Sequence, residues 1–483
     1  MTSQILIDLT NIKIGLIVWA NSLALFPYRL HRIMNMKNLE EFEHDISSAH
    51  IRLAHQTAVV MRLGIMLLTS GASSYRVKDG MACLARAVGI EDIHAQVTYT
   101  EISLTTYANG TFRTEVAEQR VLGVNSQRLD ALAHFVATLP EKDLLAEDAH
   151  RALDKIERKG VLYSIPLSAF LSGIACAAFA FLNKGGVAEC CAVFVAAMLG
   201  QALRRVLMKK KANHFGTWFV CGLAASIAYI AIITAAYACD IVDTSHQTGV
   251  VAALLFLVPG FPLVTAILDL IRQDFSAGIS RSCYVAMLML SAGTSVWCAT
   301  ALFNWSTISD IDGYTLTPAV LLIARALASF IAAFGFATLF NAPVRAATIA
   351  AFNGAFINTA RVTAQDAGFP WLAAVGCAAL AAGLIAAIAS RYSYHSRVSL
   401  SVPAVVLMIP GVPFYRAIGA INNGDATQAV GEIVTISLVI AAVGAGLAAA
   451  RMLTDREWLL DHTPKDLPKL SDSEVTIPNQ LQN

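Results

Sequence analysis

Two short runs carry the residue types best suited to chemistry. Leu257-Val258-Pro259-Gly260-Phe261-Pro262 and Met408-Ile409-Pro410-Gly411-Val412-Pro413 each set two prolines three apart around a glycine, and the runs lie 151 residues apart. Both sit inside long apolar stretches. Proline removes a backbone donor and clashes with the preceding turn, and glycine allows backbone conformations that other residues resist, so a helix containing such a run is expected to break. In a bilayer, unpaired backbone cannot face lipid. The freed carbonyls and the N-terminus of the next half-helix should therefore point inward, and a helix N-terminus carries partial positive charge suited to a carboxylate. One such run reads most simply as a proline kink. Two at matching places point to a transporter binding site, with Pro259, Gly260, Pro262, Pro410, Gly411 and Pro413 as candidate substrate-binding positions.

Polar side chains within the apolar runs are costly and invite a functional reading. Asp269 follows Pro262 by seven residues, two helical turns along the same face. It is the candidate proton carrier, or a ligand for a substrate ammonium; reaching water at a helix end is the plainer alternative. Arg416, three residues after Pro413, could hold a carboxylate in a bidentate pair or could snorkel to an interface. Arg325 lies deep in its run and is either a substrate ligand or half of an ion pair. Asn353 and Asn358 could donate to substrate or tie neighbouring helices together. No HExxH, GxSxG or P-loop occurs. The nine cysteines show no CxxC or Cys/His metal spacing. No enzyme activity, cofactor, metal or disulfide is expected.

The elements that must position these residues are membrane helices. Of the 483 residues, 56% are hydrophobic and 14% charged, against about 25% charged in soluble domains. The apolar excess is concentrated in ten runs, at 161–182, 186–207, 214–239, 248–271, 279–303, 316–340, 344–362, 370–390, 400–421 and 428–452. Each is long enough for a helix to cross the hydrocarbon core. Arg204 to Lys211, Arg272, Arg281, Arg345, Arg391 and Arg397 fall at connections on one side. Lys184, Arg361, Asp240, Asp243, Asp310, Asp312 and Asp425 fall on the other. By the positive-inside rule the first side is cytoplasmic, and the Arg204–Lys211 cluster reads as a topology signal. Each Pro-Gly-x-Pro run occupies the fourth span of a five-span unit, 161–303 or 316–453. Five is odd, so the second unit must enter the membrane inverted. With a net charge of +1 nothing attracts nucleic acid; the partners expected are a small solute, protons and the bilayer. Self-association is left open.

Residues 37–160 read as a small α+β domain ahead of the membrane part. Helices are expected over His44–Thr69 and Tyr75–Val88, one strand over His94–Tyr107, a tight turn at Asn109-Gly110 and a returning strand over Thr111–Ala117. Two amphipathic helices follow, at Ser126–Thr138 and Asp143–Lys159, the second lined by Leu145, Ala149, Ala152 and Ile156. Residues 1–36 are either an extra helix or an extension upstream of a later start, and 454–483 form a tail.

With these motifs in hand, the chain resembles the threonine/serine exporter family. Leu68-Thr69-Ser70-Gly71-Ala72, Ile102-Ser103-Leu104-Thr105-Thr106 and Val258-Pro259-Gly260-Phe261-Pro262-Leu263 resemble the family's N-terminal component. Phe334-Gly335-Phe336-Ala337, Asn341-Ala342-Pro343-Val344-Arg345 and Ile409-Pro410-Gly411 resemble the smaller component. In some relatives the two are separate polypeptides; here they are fused. The resemblance implies export of threonine and serine across a bacterial inner membrane, driven by the proton motive force, with the N-terminal domain and C-terminus cytoplasmic. Two-chain relatives are associated with dicarboxylates such as succinate, so the substrate does not follow from the family. The sequence lacks the HExxH seen in the soluble part of some relatives.

Overall fold

The computed structural model describes residues 39–119, 123–242, 249–305, 316–422 and 424–459. The expectations for residues 1–36, for most of the tail and for Asp243, Asp310 and Asp312 lie outside the described residues.

The N-terminal domain starts with α1 (Leu39–Thr69) and α2 (Ser74–Ala87). An antiparallel sheet of order β1-β2-β3 follows: β1 (Asp92–Val97), β2 (Glu101–Ala108) and β3 (Thr111–Glu118). The stretch expected as a single strand is split. Thr98 donates its N–H to the carbonyl of Glu101 at 2.8 Å, and its hydroxyl accepts from the N–H of Glu101 at 3.0 Å. This local side-chain turn competes with strand propagation. Asn109 (φ 51°) and Gly110 (φ 71°) form the expected hairpin turn, whose two positive φ angles suit asparagine and glycine. In α3 (Ser126–Ala137) and α4 (Ala146–Glu157) the buried stripes are short. Ala149, Leu153 and Ile156 face inward on α4, whereas Leu145 caps the helix and is exposed, because the helix begins after it.

The membrane part comprises α5 (Ile165–Leu182), α6 (Val187–Lys209), α7 (His214–Ala238), α8 (Gly249–Ala252), α9 (Gly260–Ile271), α10 (Phe275–Phe303), α11 (Pro318–Leu339), α12 (Val344–Asp366), α13 (Trp371–Ser393), α14 (Arg397–Val406), α15 (Gly411–Asn422) and α16 (Ala426–Thr454). Among the described residues, eight helices are long and apolar enough to cross a membrane, or ten if each of two bent pairs counts as one span. The membership differs from the expected ten. Part of α1, Ser48–Thr69, qualifies by composition, but α1 packs on α2, α3, α4, β2 and β3 of its own domain. Conversely α12, with Arg345, Arg361 and Asp366, is too polar to qualify yet packs alongside α11, α13 and α14. A helix inside a bundle can hide polar groups from lipid, and Asn353 and Asn358 are buried there.

Both expected breaks are present. Gly249–Leu257 and Gly260–Ile271 meet at 65°, and Arg397–Val406 and Gly411–Ile421 at 44°. The backbone does the same thing at each. Gly260 N–H donates to Val258 O at 2.8 Å and Gly411 N–H to Ile409 O at 2.8 Å; Leu263 N–H then donates to Pro259 O and Phe414 N–H to Pro410 O.

Helix pairing also recurs. In the first unit α5 packs on α6, α6 on α7, α7 on α10 and α9 on α10; in the second α11 packs on α12, α12 on α13, α13 on α16 and α15 on α16. Between the units α5 meets α11, α9 meets α16 and α10 meets α15. The closest approaches are reciprocal. A Cβ on Gly260 would come within 2.7 Å of Val406 and 2.9 Å of Ile409, and one on Gly411 within 2.8 Å of Leu255 and 3.4 Å of Val258. Gly293 likewise abuts Ile418, and Gly444 abuts Ile267. Every residue of one contact maps onto its counterpart by the same shift of 151 positions.

Gly446 of α16 lies against the backbone oxygen of Gly376 in α13, where a side chain has nowhere to go. Gly446→Ala should destabilise the protein by about 1–3 kcal/mol, read as a lower unfolding midpoint in detergent. Gly431→Ala, with nothing within 4 Å of the new methyl, should leave that midpoint in place.

Candidate functional site

A cavity of about 240 Å³ lies at the first break, between the membrane helices and the N-terminal domain. This is below the roughly 300–1,000 Å³ that surrounds a drug-sized ligand and suits a smaller solute. Pro259 and Pro262 line it from the start of α9, with Arg204 from the end of α6, His214 and Trp218 from the start of α7, Tyr284 from α10 and Tyr99 from the β1–β2 turn. Bulky apolar residues, Phe256, Phe336 and Phe340 among them, complete the wall.

The break makes the polar lining. Carbonyls that lose their helical donors need others, and side chains supply them. Arg204 Nη1 donates to Phe256 O at 2.9 Å, and Trp218 Nε1 donates to Leu257 O at 2.7 Å. The Arg204 guanidinium also lies 5.3 Å from the centroid of the Trp218 ring and 5.8 Å from that of Phe256, where the ring faces attract the cation. Among the described residues it has no acidic partner. His214 Nδ1 and the Tyr284 hydroxyl are 2.7 Å apart. Burial pushes the Tyr99 phenol up to about 12 against the opposing pull of Arg281, so it remains a hydrogen-bond donor at neutral pH. A guanidinium without a counter-charge, beside hydroxyl and imidazole groups, can take a carboxylate.

The expected site residues disperse around this cavity. Pro410, Gly411 and Pro413 form the second break, packed against the first. Asn353 is buried, but its Nδ2 donates to Ala382 O at 3.1 Å and so ties helices together. Arg325 pairs with Asp366. Arg416 is exposed on α15, away from the cavity. Arg204, read from the sequence as a topology signal, is the cation that the structure brings to the first break. The available cue was its place more than a turn before the end of α6, whereas Lys210 and Lys211 lie beyond it.

Asp269 sits where the membrane part meets the N-terminal domain. Its Oδ1 accepts from the Ser74 N–H at the start of α2 at 3.0 Å, and its Oδ2 lies 3.6 Å from Arg281 Nε. Both side chains are only 1% exposed, and those two facing atoms have no hydrogen-bond partner. Arg281 also donates to Thr265 Oγ1 at 2.5 Å and to Ala72 O at 3.0 Å, and Lys78 pairs with Asp274. The domain grips the second unit as well. Ser126 N–H donates to Phe340 O at 2.9 Å, and Asn341 Nδ2 donates to Asn125 Oδ1 at 2.8 Å. Buried Asp130 lies 2.8 Å from His395 Nδ1 and accepts from Ser396 N–H and Ser399 Oγ at 2.9 Å each. No group of three or more His, Cys, Asp or Glu side chains suited to a metal occurs among the described residues.

A family model described as "Putative threonine/serine exporter" matches residues 58–303, about half of the chain. The chain belongs to the threonine/serine exporter family. A second model of that family, "Threonine/Serine exporter, ThrE", matches residues 325–453, so this exporter-family chain carries both components in one polypeptide. It is 22% identical to a threonine/serine exporter of Corynebacterium glutamicum over 84% of each chain. It is also 26% identical to a "Probable succinate transporter subunit YjjP" of Klebsiella aerogenes, over 52% of this chain and 93% of the relative. The corresponding Escherichia coli protein is 25% identical over 52% of this chain and 94% of its own. No solved structure matches the chain. The family is one of multi-pass membrane transport proteins rather than enzymes.

Removing the Asp130 carboxylate takes away the acceptor of the Ser396 N–H and the partner of His395 Nδ1, at about 1–3 kcal/mol for each one left without a partner, while Ser399 Oγ keeps Ser396 Oγ at 2.8 Å. In Asp130→Ala, amide hydrogen exchange over α14 should speed up while α6 stays as protected as in the parent. Equal protection of α14 in both proteins would show that Asp130 does not hold it.

Proposed function

We propose that this chain is a secondary exporter that moves small carboxylate-bearing metabolites out of the bacterial cytoplasm across the inner membrane by alternating access, driven by the proton motive force. Threonine and serine are the first substrates and C4-dicarboxylates such as succinate the second. The observation that carries this reading is the cavity at the first break, with an arginine that has no acidic partner among the described residues. The carboxylate is its shared target in all three compounds. In this reading the N-terminal domain and C-terminus are cytoplasmic, because Arg272, Arg281, Arg345, Arg391 and Arg397 gather on the domain's side. An odd number of spans per unit then makes the two units inverted repeats, which the reciprocal packing of the breaks supports.

Substrate enters from the cytoplasm and binds between Arg204 and the first turn of α9, whose dipole favours an anion. Arg325, Arg416, Asn353 and the second break serve the state open to the other side. Asp269 carries the proton. Protonation removes its charge beside Arg281 and loosens the grip on Ser74, which couples proton occupancy to the docking of the N-terminal domain.

Inverted membrane vesicles with an imposed proton gradient test the reading, using labelled threonine, serine and succinate. At least one should accumulate, and an uncoupler should abolish the accumulation. Flux of all three regardless of the gradient would make the protein a passive channel instead. Arg204→Gln should raise the half-saturating concentration from the cytoplasmic side about tenfold or more, the cost of a lost charged hydrogen bond. Asp269→Asn should retain exchange of labelled for unlabelled substrate but lose gradient-driven accumulation. An undiminished accumulation ratio would remove Asp269 from the coupling.

A further inference from the structure

Helices α6 and α12, each second in its unit, carry the same polar pattern. Gln201 Nε2 of α6 donates to Ser168 Oγ of α5 at 3.0 Å, and Asn358 Nδ2 of α12 donates to Ser329 Oγ of α11 at 2.8 Å. All four side chains are buried, between 0% and 3% exposed. In each unit, then, an amide of the second helix reaches a serine of the first, although the serine of the second unit lies one helical turn further along its helix relative to the amide's counterpart. Three residues past each amide comes an arginine, Arg204 on α6 and Arg361 on α12. Each helix has 23 residues, and each arginine is its eighteenth.

The two arginines lie at opposite ends of the bundle. Arg204 lines the cavity beside Tyr99 of the N-terminal domain. The α12 helix starts at the Asn341–Pro343 turn, which is bonded to that domain, and Arg361 comes 17 residues after Val344. At about 1.5 Å per residue this is roughly 25 Å away, near the opposite face. Arg361 is held by neutral oxygens: Nε and Nη2 donate to Asn358 Oδ1 at 3.1 and 2.7 Å, and Nη1 donates to Gln365 Oε1 at 3.2 Å. Among the described residues it too has no acidic partner. A guanidinium without a counter-charge inside a bundle is expensive and marks a functional group.

We infer that Arg361 is the second carboxylate anchor of the transport path, engaging the substrate when the path opens on the face away from the N-terminal domain, as Arg204 does on the near face. The inference rests on the inverted-unit reading. When the units exchange conformations, the α12 end of the second unit takes the shape that the α6 end of the first has here. Asn358 and Gln365 then hand the guanidinium over to the substrate carboxylate, much as Phe256 O shares Arg204.

The test is counterflow of labelled threonine, serine and succinate in sealed vesicles of both orientations, which gives a half-saturating concentration for each face. Arg361→Gln should raise the far-face value about tenfold or more and leave the near-face value within about twofold. Arg204→Gln should do the reverse. Arg361→Lys, which keeps the charge without the planar fork, should fall between parent and Arg361→Gln on the far face alone. An unchanged far-face value in Arg361→Gln, or an equal change on both faces in both Arg361 variants, would overturn the assignment. If Arg204→Gln leaves the near face unchanged while Arg361→Gln shifts the far face, the reading of the first cavity fails and the Arg361 assignment stands.

Discussion

Backbone polar groups cannot be left bare in hydrocarbon, and the rest of this structure follows from where that rule is bent. At each Pro-Gly-x-Pro run the helical ladder stops and carbonyls lose their donors. In the first unit the replacement donors are the side chains of Arg204 and Trp218. Those side chains must converge on one place, and bringing them there leaves a polar recess among phenylalanines. The cavity and its cation are thus by-products of repairing the break.

The second break shows how such a site is confined. Gly260 faces Val406 and Ile409, and Gly411 faces Leu255 and Val258. Each kinked segment fills the gap that the other opens, so neither faces lipid. The missing side chains are what let the segments approach this closely. Gly293 with Ile418 and Gly444 with Ile267 extend the same arrangement into α10 and α16. Within each unit an amide–serine bond, Gln201 to Ser168 and Asn358 to Ser329, ties the first two helices together.

Much of this was legible in the sequence, and the exceptions have physical causes. Both breaks could be read because proline and glycine act locally, and the Asn109-Gly110 hairpin for the same reason. The turn at Thr98 was missed because its hydroxyl overrides residues that favour a strand. Length and hydropathy alone would admit part of α1 and reject α12, since hydropathy does not distinguish a domain core from lipid; their place in the order of runs assigns α1 to the N-terminal domain and 344–362 to the bundle, as they pack. The residues around the first cavity were the hardest to place. Proximity to a proline in sequence suggested Arg416, which here is exposed on α15 outside the first cavity. Arg204 looked like a topology signal because its partners lie 14 and 52 residues away in the chain. Nothing local indicates that Asp269 meets Ser74, 195 residues earlier.

The attachments of the N-terminal domain have a mechanical consequence. It is fastened to the first unit near Asp269 and Arg281, and to the second at Asn341 and, through Asp130, at the start of α14. A stiff plate pinned at three points on two bodies cannot stay pinned at all three if the bodies turn against one another. Any rocking of the two units must stretch or open one of these fastenings, and the fastening to the first unit gathers around one buried carboxylate and one buried guanidinium, Asp269 accepting from Ser74 N–H and Arg281 donating to Ala72 O. Under such a rocking the domain would carry tension across the seam, and the strength of its weakest pin would limit how far the seam opens.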